Sequence, residues 1–111
     1  MGQQFEVLIY VTENGKVPFQ TWLNGLKDRK GRYLIKTRID RIEDGNFGDC
    51  KSVGQGIFEL RIKYGSGYRV YFGKDGDHIV LLLCGGTKSS QQKDITTARK
   101  YWLNYKERKN G

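Results

Sequence analysis

The side chains best suited to chemistry in this chain are Arg61, Lys63, Arg69 and Lys88, four cations carried by one stretch from Gly56 to Lys88. The stretch begins Gly-Ile-Phe-Glu-Leu-Arg-Ile-Lys-Tyr, turns through Gly65-Ser66-Gly67, and continues Tyr-Arg-Val-Tyr-Phe. A Lys-Asp-Gly-Asp turn then leads to Ile79-Val-Leu-Leu-Leu and Cys-Gly-Gly-Thr-Lys. Short β-rich runs joined by glycine-bearing turns predict three antiparallel strands in a meander. Side chains alternate along a strand, so Phe58, Leu60, Ile62 and Tyr64 share one face while Glu59, Arg61 and Lys63 share the other. In the second run Tyr68, Val70 and Phe72 form the apolar set and leave Arg69 and Tyr71 opposite. A tight hairpin therefore brings Arg69 beside Arg61 and Lys63, with Lys88 at the rim. A solvated sheet face is the plain alternative. Like charges on one sheet face repel, and an anion held between them would make sense of the cluster.

The rest of the chain has to position that patch. With 111 residues the expectation is one domain, spanning 1–111, around one modest core. Lysine and arginine number 20 against 12 acidic residues, and the net charge of +8 favours a polyanionic partner such as nucleic acid. A membrane surface is the competing polyanion. No run approaches the ~18 apolar residues of a membrane span, and the first residues lack a signal-peptide pattern. The expected location is the cytosol. Gln4 to Val11 is β-branched and aromatic and predicts a strand that joins the sheet. Pro18 suits the first turn of a helix, whose stripe of Phe19, Trp22, Leu23 and Leu26 belongs to the core. After a polar break at Lys27 to Gly31, Leu34, Ile35, Arg38, Ile39 and Ile42 share one side of a second helix that Gly45 stops. These two helices are expected to form a hairpin over the apolar sheet face. Arg29, Lys30, Arg32, Lys36, Arg38 and Arg41 make this region basic, which fits a solvated face or phosphate contacts.

Gly45 to Gly56 has no periodicity and reads as a loop beside the charged face. Within it Lys51 is a candidate to reach the anion and Asp49 a candidate proton acceptor. Ile79 to Leu83, continuously apolar, predicts a strand buried in mid-sheet. Cys50 and Cys84 show no metal-ligand spacing and, with His78 the one histidine, predict reduced thiols and no zinc site. Ser89 with Gln92 has capping-box spacing. A basic terminal helix carrying Ile95, Ala98, Trp102 and Tyr105 should follow, either closing on the sheet or displaced by a partner.

Several strings together resemble the HigB/RelE/ParE toxin superfamily, and more narrowly its phage-derived, addiction-module killer branch. They are Gly45-Asn46-Phe47-Gly48-Asp49, Phe58 to Arg61, Gly67 to Phe72, and Gly85 to Gln91. The likeness runs from Pro18-Phe19 to Ala98. It implies an α+β, RelE-like fold in the order β-α-α-β-β-β-α, with a helical hairpin on one sheet face. It also implies a toxin of a type II toxin–antitoxin module, partnered by a cognate antitoxin and acting with the ribosome on mRNA. In the RelE and HigB branches no metal or other cofactor is used. There the substrate's 2′-hydroxyl attacks the adjacent phosphate and basic sheet residues stabilise the growing charge.

On this resemblance the catalytic positions fall on Arg61, Arg69 and Lys88; the strand faces and the adjoining loop add Lys63, Lys51 and Tyr71 as substrate-binding candidates. Fixed guanidinium groups suit a pentacoordinate phosphate because they stay charged and grip two oxygens. Many proteins of the RelE and HigB branches place a His or Tyr near the C-terminus for proton transfer, whereas this chain has Gly-Gly-Thr-Lys. The general base is therefore open among Lys88, Glu59, Asp49 and none. Two other functions remain open as well: a ParE-like toxin that binds gyrase without cutting RNA, and a non-toxic basic nucleic-acid-binding module.

Overall fold

A computed structural model describes residues 4–111 as an α+β fold with a five-stranded mixed sheet and three helices. The elements are β1 (Glu6–Ile9), α1 (Pro18–Gly25), α2 (Arg29–Glu43), β2 (Cys50–Gly54), β3 (Ile57–Ile62), β4 (Tyr68–Asp75), β5 (Ile79–Thr87) and α3 (Gln91–Asn110), with one 3₁₀ turn at Lys88–Ser90. The strand order is β1-β5-β4-β3-β2, in which β1 lies parallel to β5 and every other pair is antiparallel. The expected meander is thus β3 to β5, and the continuously apolar β5 is an interior strand, as its composition requires.

The segment read as a loop corrects that expectation, because Cys50–Gly54 is a strand on the sheet's edge. Its side chains are mostly exposed, so no apolar alternation marks it, and it is held by backbone pairing to β3 with an irregularity between Ser52 and Gly54. The cap of α3 differs too. Thr87 and Ser90 form the reciprocal box at the preceding 3₁₀ turn, in place of Ser89 and Gln92.

Both faces of the sheet are covered. One face buries Leu60, Ile62, Val70, Phe72, Val80 and Leu82 against Phe19 and Leu23 of α1 and Ile35 and Ile42 of α2. The other buries Ile57, Tyr71, Leu81 and Leu83 under Ile95, Ala98 and Trp102 of α3. The terminal helix therefore closes on the sheet, and it does so on the face that alternation had marked as charged. Each face seats a tryptophan on a glycine. A Cβ on Gly73 would stand 2.5 Å from the Trp102 ring, and one on Gly85 2.3 Å from that of Trp22. We expect Gly73→Ala to destabilise the protein by about 1–3 kcal/mol through overpacking, read as a lowered thermal midpoint. An unchanged midpoint would mean that α3 rests more loosely than this contact implies.

Carboxylates tie the helices to β4. Asp28 caps α2, accepting from the Gly31 backbone N–H at 2.9 Å and from the Tyr68 hydroxyl at 2.8 Å. Asp75 accepts from the Tyr105 hydroxyl at 2.7 Å and pairs with Lys109. These bonds hold Asp28 and Asp75 below the ordinary carboxylate value of 3.8, chiefly through Gly31 in the first case and Lys109 in the second. A carboxyl depressed on folding contributes stability that is complete above its unfolded value and lost as pH falls through its folded one. Urea midpoints should accordingly fall as pH drops below 3.8, and the Asp28→Asn, Asp75→Asn double variant should show a flatter acid limb. Equal acid slopes for variant and wild type would refute this assignment. Among the described residues no helix is long and apolar enough to cross a membrane.

Candidate functional site

The β3–β4 register sets Arg61 directly opposite Arg69, so the predicted convergence of the two guanidinium groups is built into the backbone. Arg61, Lys63, Tyr64, Arg69 and Lys88 line one pocket of about 480 Å³, whose floor includes Gly65 and Gly67 of the hairpin tip. Lys88 reaches it because the end of β5 folds over that tip, where the Lys88 backbone N–H donates to the Gly67 carbonyl at 2.9 Å.

Two carboxylates make the close approach of like charges tolerable. Arg61 donates from Nη2 and Nε to Asp49 Oδ1 at 3.0 and 3.3 Å, and Lys63 Nζ lies 3.7 Å from Asp49 Oδ2. Burial pushes the Asp49 carboxyl up, but the bond from Arg61 and the charges of Arg61, Lys63 and Arg38 outweigh it and leave the group below its ordinary value. It is a weak base there. Arg69 Nη1 donates to Glu59 Oε1 at 3.0 Å, while Tyr71 Oη and Gln91 Nε2 donate to Oε2 at 3.1 and 2.7 Å. Internal anions thus balance part of the cluster, and a bound anion is not needed to explain why the arginines can be neighbours. Four cations against two carboxylates still leave the pocket positive.

Glu59 corrects the reading of a solvated strand face. Its side chain is 0% exposed because α3 covers it, and all its bonds are to protein donors. A group so enclosed cannot take a proton from a substrate in the pocket; it fixes Arg69. Tyr71 is likewise 0% exposed and lies beneath α3 instead of on the pocket wall. Burial, then the charge of Glu59, raises its phenol far above the ordinary value, so it stays a neutral hydrogen-bond donor. Lys51 pairs in register with Glu59 on edge strand β2 and is exposed, outside the residues that line the pocket. His78 is exposed at the start of β5.

Three contributors have a role in the site that the sequence alone does not assign them. Tyr64 keeps its expected place on the core side, packed against the helix-covered cluster, and also stands in the pocket wall, with Lys30 Nζ 5.1 Å from its ring centroid. Gln91 reaches Glu59 from the first turn of α3, which no local pattern could reveal. Arg38, which shares the helix side of Ile35, Ile39 and Ile42 and also counts in the basic run, turns its guanidinium inward and donates to the carbonyls of Arg61, Phe47 and Asp49 at 2.7, 3.0 and 3.3 Å. That clamp holds the strand and the loop at the separation the Arg61–Asp49 pair requires. Among the described residues, no three His, Cys, Asp or Glu side chains come together as a metal site.

The profile of the family described as "Phage derived protein Gp49-like (DUF891)" matches residues 21–102, from α1 into α3 and across the whole pocket. This chain belongs to that family. Gp49-like proteins are associated with toxin–antitoxin modules. An uncharacterized protein of Haemophilus influenzae (strain ATCC 51907 / DSM 11121 / KW20 / Rd) is 53% identical to this Gp49-like chain over 81 residues, which is 73% of the chain and 82% of the relative.

Proposed function

We propose that this Gp49-like protein is the toxin of a type II toxin–antitoxin module and acts as a ribosome-dependent, metal-independent mRNA endoribonuclease. The observation that carries the reading is the convergence of Arg61, Lys63, Arg69 and Lys88 on one pocket, with Arg69 held from behind by a buried carboxylate. Attack of a 2′-oxygen on the adjacent phosphate builds negative charge on the phosphoryl oxygens. Donors fixed in advance stabilise that charge without reorganising. Arg69 is 12% exposed and uses Nη1 on Glu59; its Nε is enclosed without a partner, whereas its Nη2 is neither enclosed nor hydrogen-bonded among the described residues, and this Nη2 edge is the one left to meet an oxyanion. Arg61 and Lys63 face it across the pocket. Tyr64 and Lys88 are the wall side chains to which this reading gives the transfer of a proton to or from the reacting oxygens.

The proposed partners are the ribosome with its mRNA and a cognate antitoxin whose acidic segment covers the pocket. Clustered cations make such association fast and salt-sensitive. Induction without antitoxin should arrest growth, and primer extension on translating mRNA should show new 5′ ends. Growth arrest with intact mRNA and with gyrase supercoiling inhibited would replace this reading by a gyrase-binding toxin.

A further inference from the structure

We propose that the outer face of α2 is a second RNA-contacting surface, which takes the single-stranded segment flanking the phosphate held in the pocket. Arg29, Arg32, Tyr33 and Lys36 fall at i, i+3, i+4 and i+7, one stripe of the helix, and with Leu23 and Asn24 they line a concavity of about 300 Å³ that no acidic side chain enters. Tyr33 is 68% exposed, the largest value among the exposed large hydrophobic residues. An aromatic ring held out in water and flanked by cations has the composition of a base-stacking platform with phosphate contacts.

The placement of these charges is unfavourable for the helix alone. The first turn of α2 contains no acidic residue beyond its N-cap Asp28, whose carboxylate is engaged by the Gly31 N–H and the Tyr68 hydroxyl, and it carries Arg29, Lys30 and Arg32 towards the positive end of the helix dipole, where cations are disfavoured. The side chains of Arg29, Arg32 and Lys36 enter no hydrogen bond or ion pair among the described residues, whereas Arg38 on the same helix is fully engaged with backbone carbonyls. The inward arginine is structural, and the outward cations lack an internal partner. Lys30, over the ring of Tyr64, joins this stripe to the pocket that Tyr64 lines, so one strand can pass from one to the other.

The choice of RNA over another polyanion rests on the proposed function. The surface itself does not. The test is fluorescence anisotropy with 2′-O-methyl oligonucleotides, which cannot be cleaved through the 2′-oxygen, using the full chain. For an oligonucleotide of about 12 nucleotides, the Arg29→Ala, Arg32→Ala, Lys36→Ala triple variant should bind more weakly. Its log–log salt slope should be shallower by about 2, as expected for three lost phosphate contacts on a single strand. Tyr33→Ala should weaken binding about fivefold or more with the slope unchanged, and Tyr33→Phe should restore it, because the ring and not the hydroxyl stacks. An oligonucleotide of about four nucleotides, filling the pocket alone, should bind all variants alike.

Wild-type binding by the triple variant and Tyr33→Ala would overturn the proposal, as would a wild type that binds neither oligonucleotide. Equal losses with short and long oligonucleotides would also overturn it by removing the separate surface. The two readings fail separately. Binding that follows the stripe without mRNA cleavage leaves this surface and removes the nuclease; cleavage with binding indifferent to the stripe does the reverse.

Discussion

Arg61→Ala should lower cleavage of ribosome-bound mRNA about a hundredfold, the loss on the order of 3 kcal/mol that follows removal of one preorganised donor from an oxyanion site. The variant should remain folded, since its partner Asp49 has a side chain 33% exposed and is rehydrated once the guanidinium is gone. Arg69→Ala should lower cleavage at least as much but at a structural cost, because it leaves the carboxylate of Glu59 buried with only neutral donors. Arg69→Lys keeps a charge near Glu59 and should recover part of the stability, with little of the rate, since an ammonium cannot grip two oxygens. Primer extension gives the rate and a urea titration gives the stability. Full cleavage by Arg61→Ala and Arg69→Lys would end the assignment of the pocket as the catalytic centre.

What could be read from the sequence was whatever depends on neighbours along the chain. Strand alternation and the short Gly65-Ser66-Gly67 turn bring Arg69 beside Arg61 and Lys63 from the sequence alone, because a tight hairpin is a local feature; the direct pairing of Arg61 with Arg69 is the register that the structure adds. The Pro18 start and the Gly45 stop of the helical hairpin are local in the same sense, and Gly45 indeed takes φ of 82° just past α2. What escaped depends on which surface lands on which. Alternation separates two faces of β3 but cannot tell whether the polar face is wet. Glu59 and Tyr71 are dry because α3 lies over them, and α3 is placed there by Trp102 fitting against Gly73, some thirty residues earlier in the chain. The edge strand β2 was missed for the opposite reason: with its side chains mostly in water, nothing but its backbone had to match the sheet. Arg38 shows how composition misleads, since a basic run contains both solvated cations and one whose head is structural.

The buried carboxylate gives the other large effect. Glu59→Ala should destabilise the protein by about 3–5 kcal/mol, the range for removing one partner of a buried ion pair and stranding the other. A domain with 5–15 kcal/mol in total would lose much of its margin. The cause is specific: Arg69, 12% exposed, would keep its charge with no anion, and the donors of Tyr71 and Gln91 would lose their acceptor. Glu59→Gln should do less damage while still releasing Arg69, so its cleavage rate should fall further than its stability explains. The Glu59→Leu, Arg69→Met double variant removes both charges and should be more stable than either single change, since a buried pair replaced by apolar side chains is often neutral. It should also be inactive. A double-mutant cycle over these positions should return a coupling of about 0.5–3 kcal/mol. Additive losses, together with normal cleavage by Glu59→Gln, would show that Arg69 holds its place without the carboxylate, and the role of α3 in fixing the pocket through Gln91 and Glu59 would fall with it.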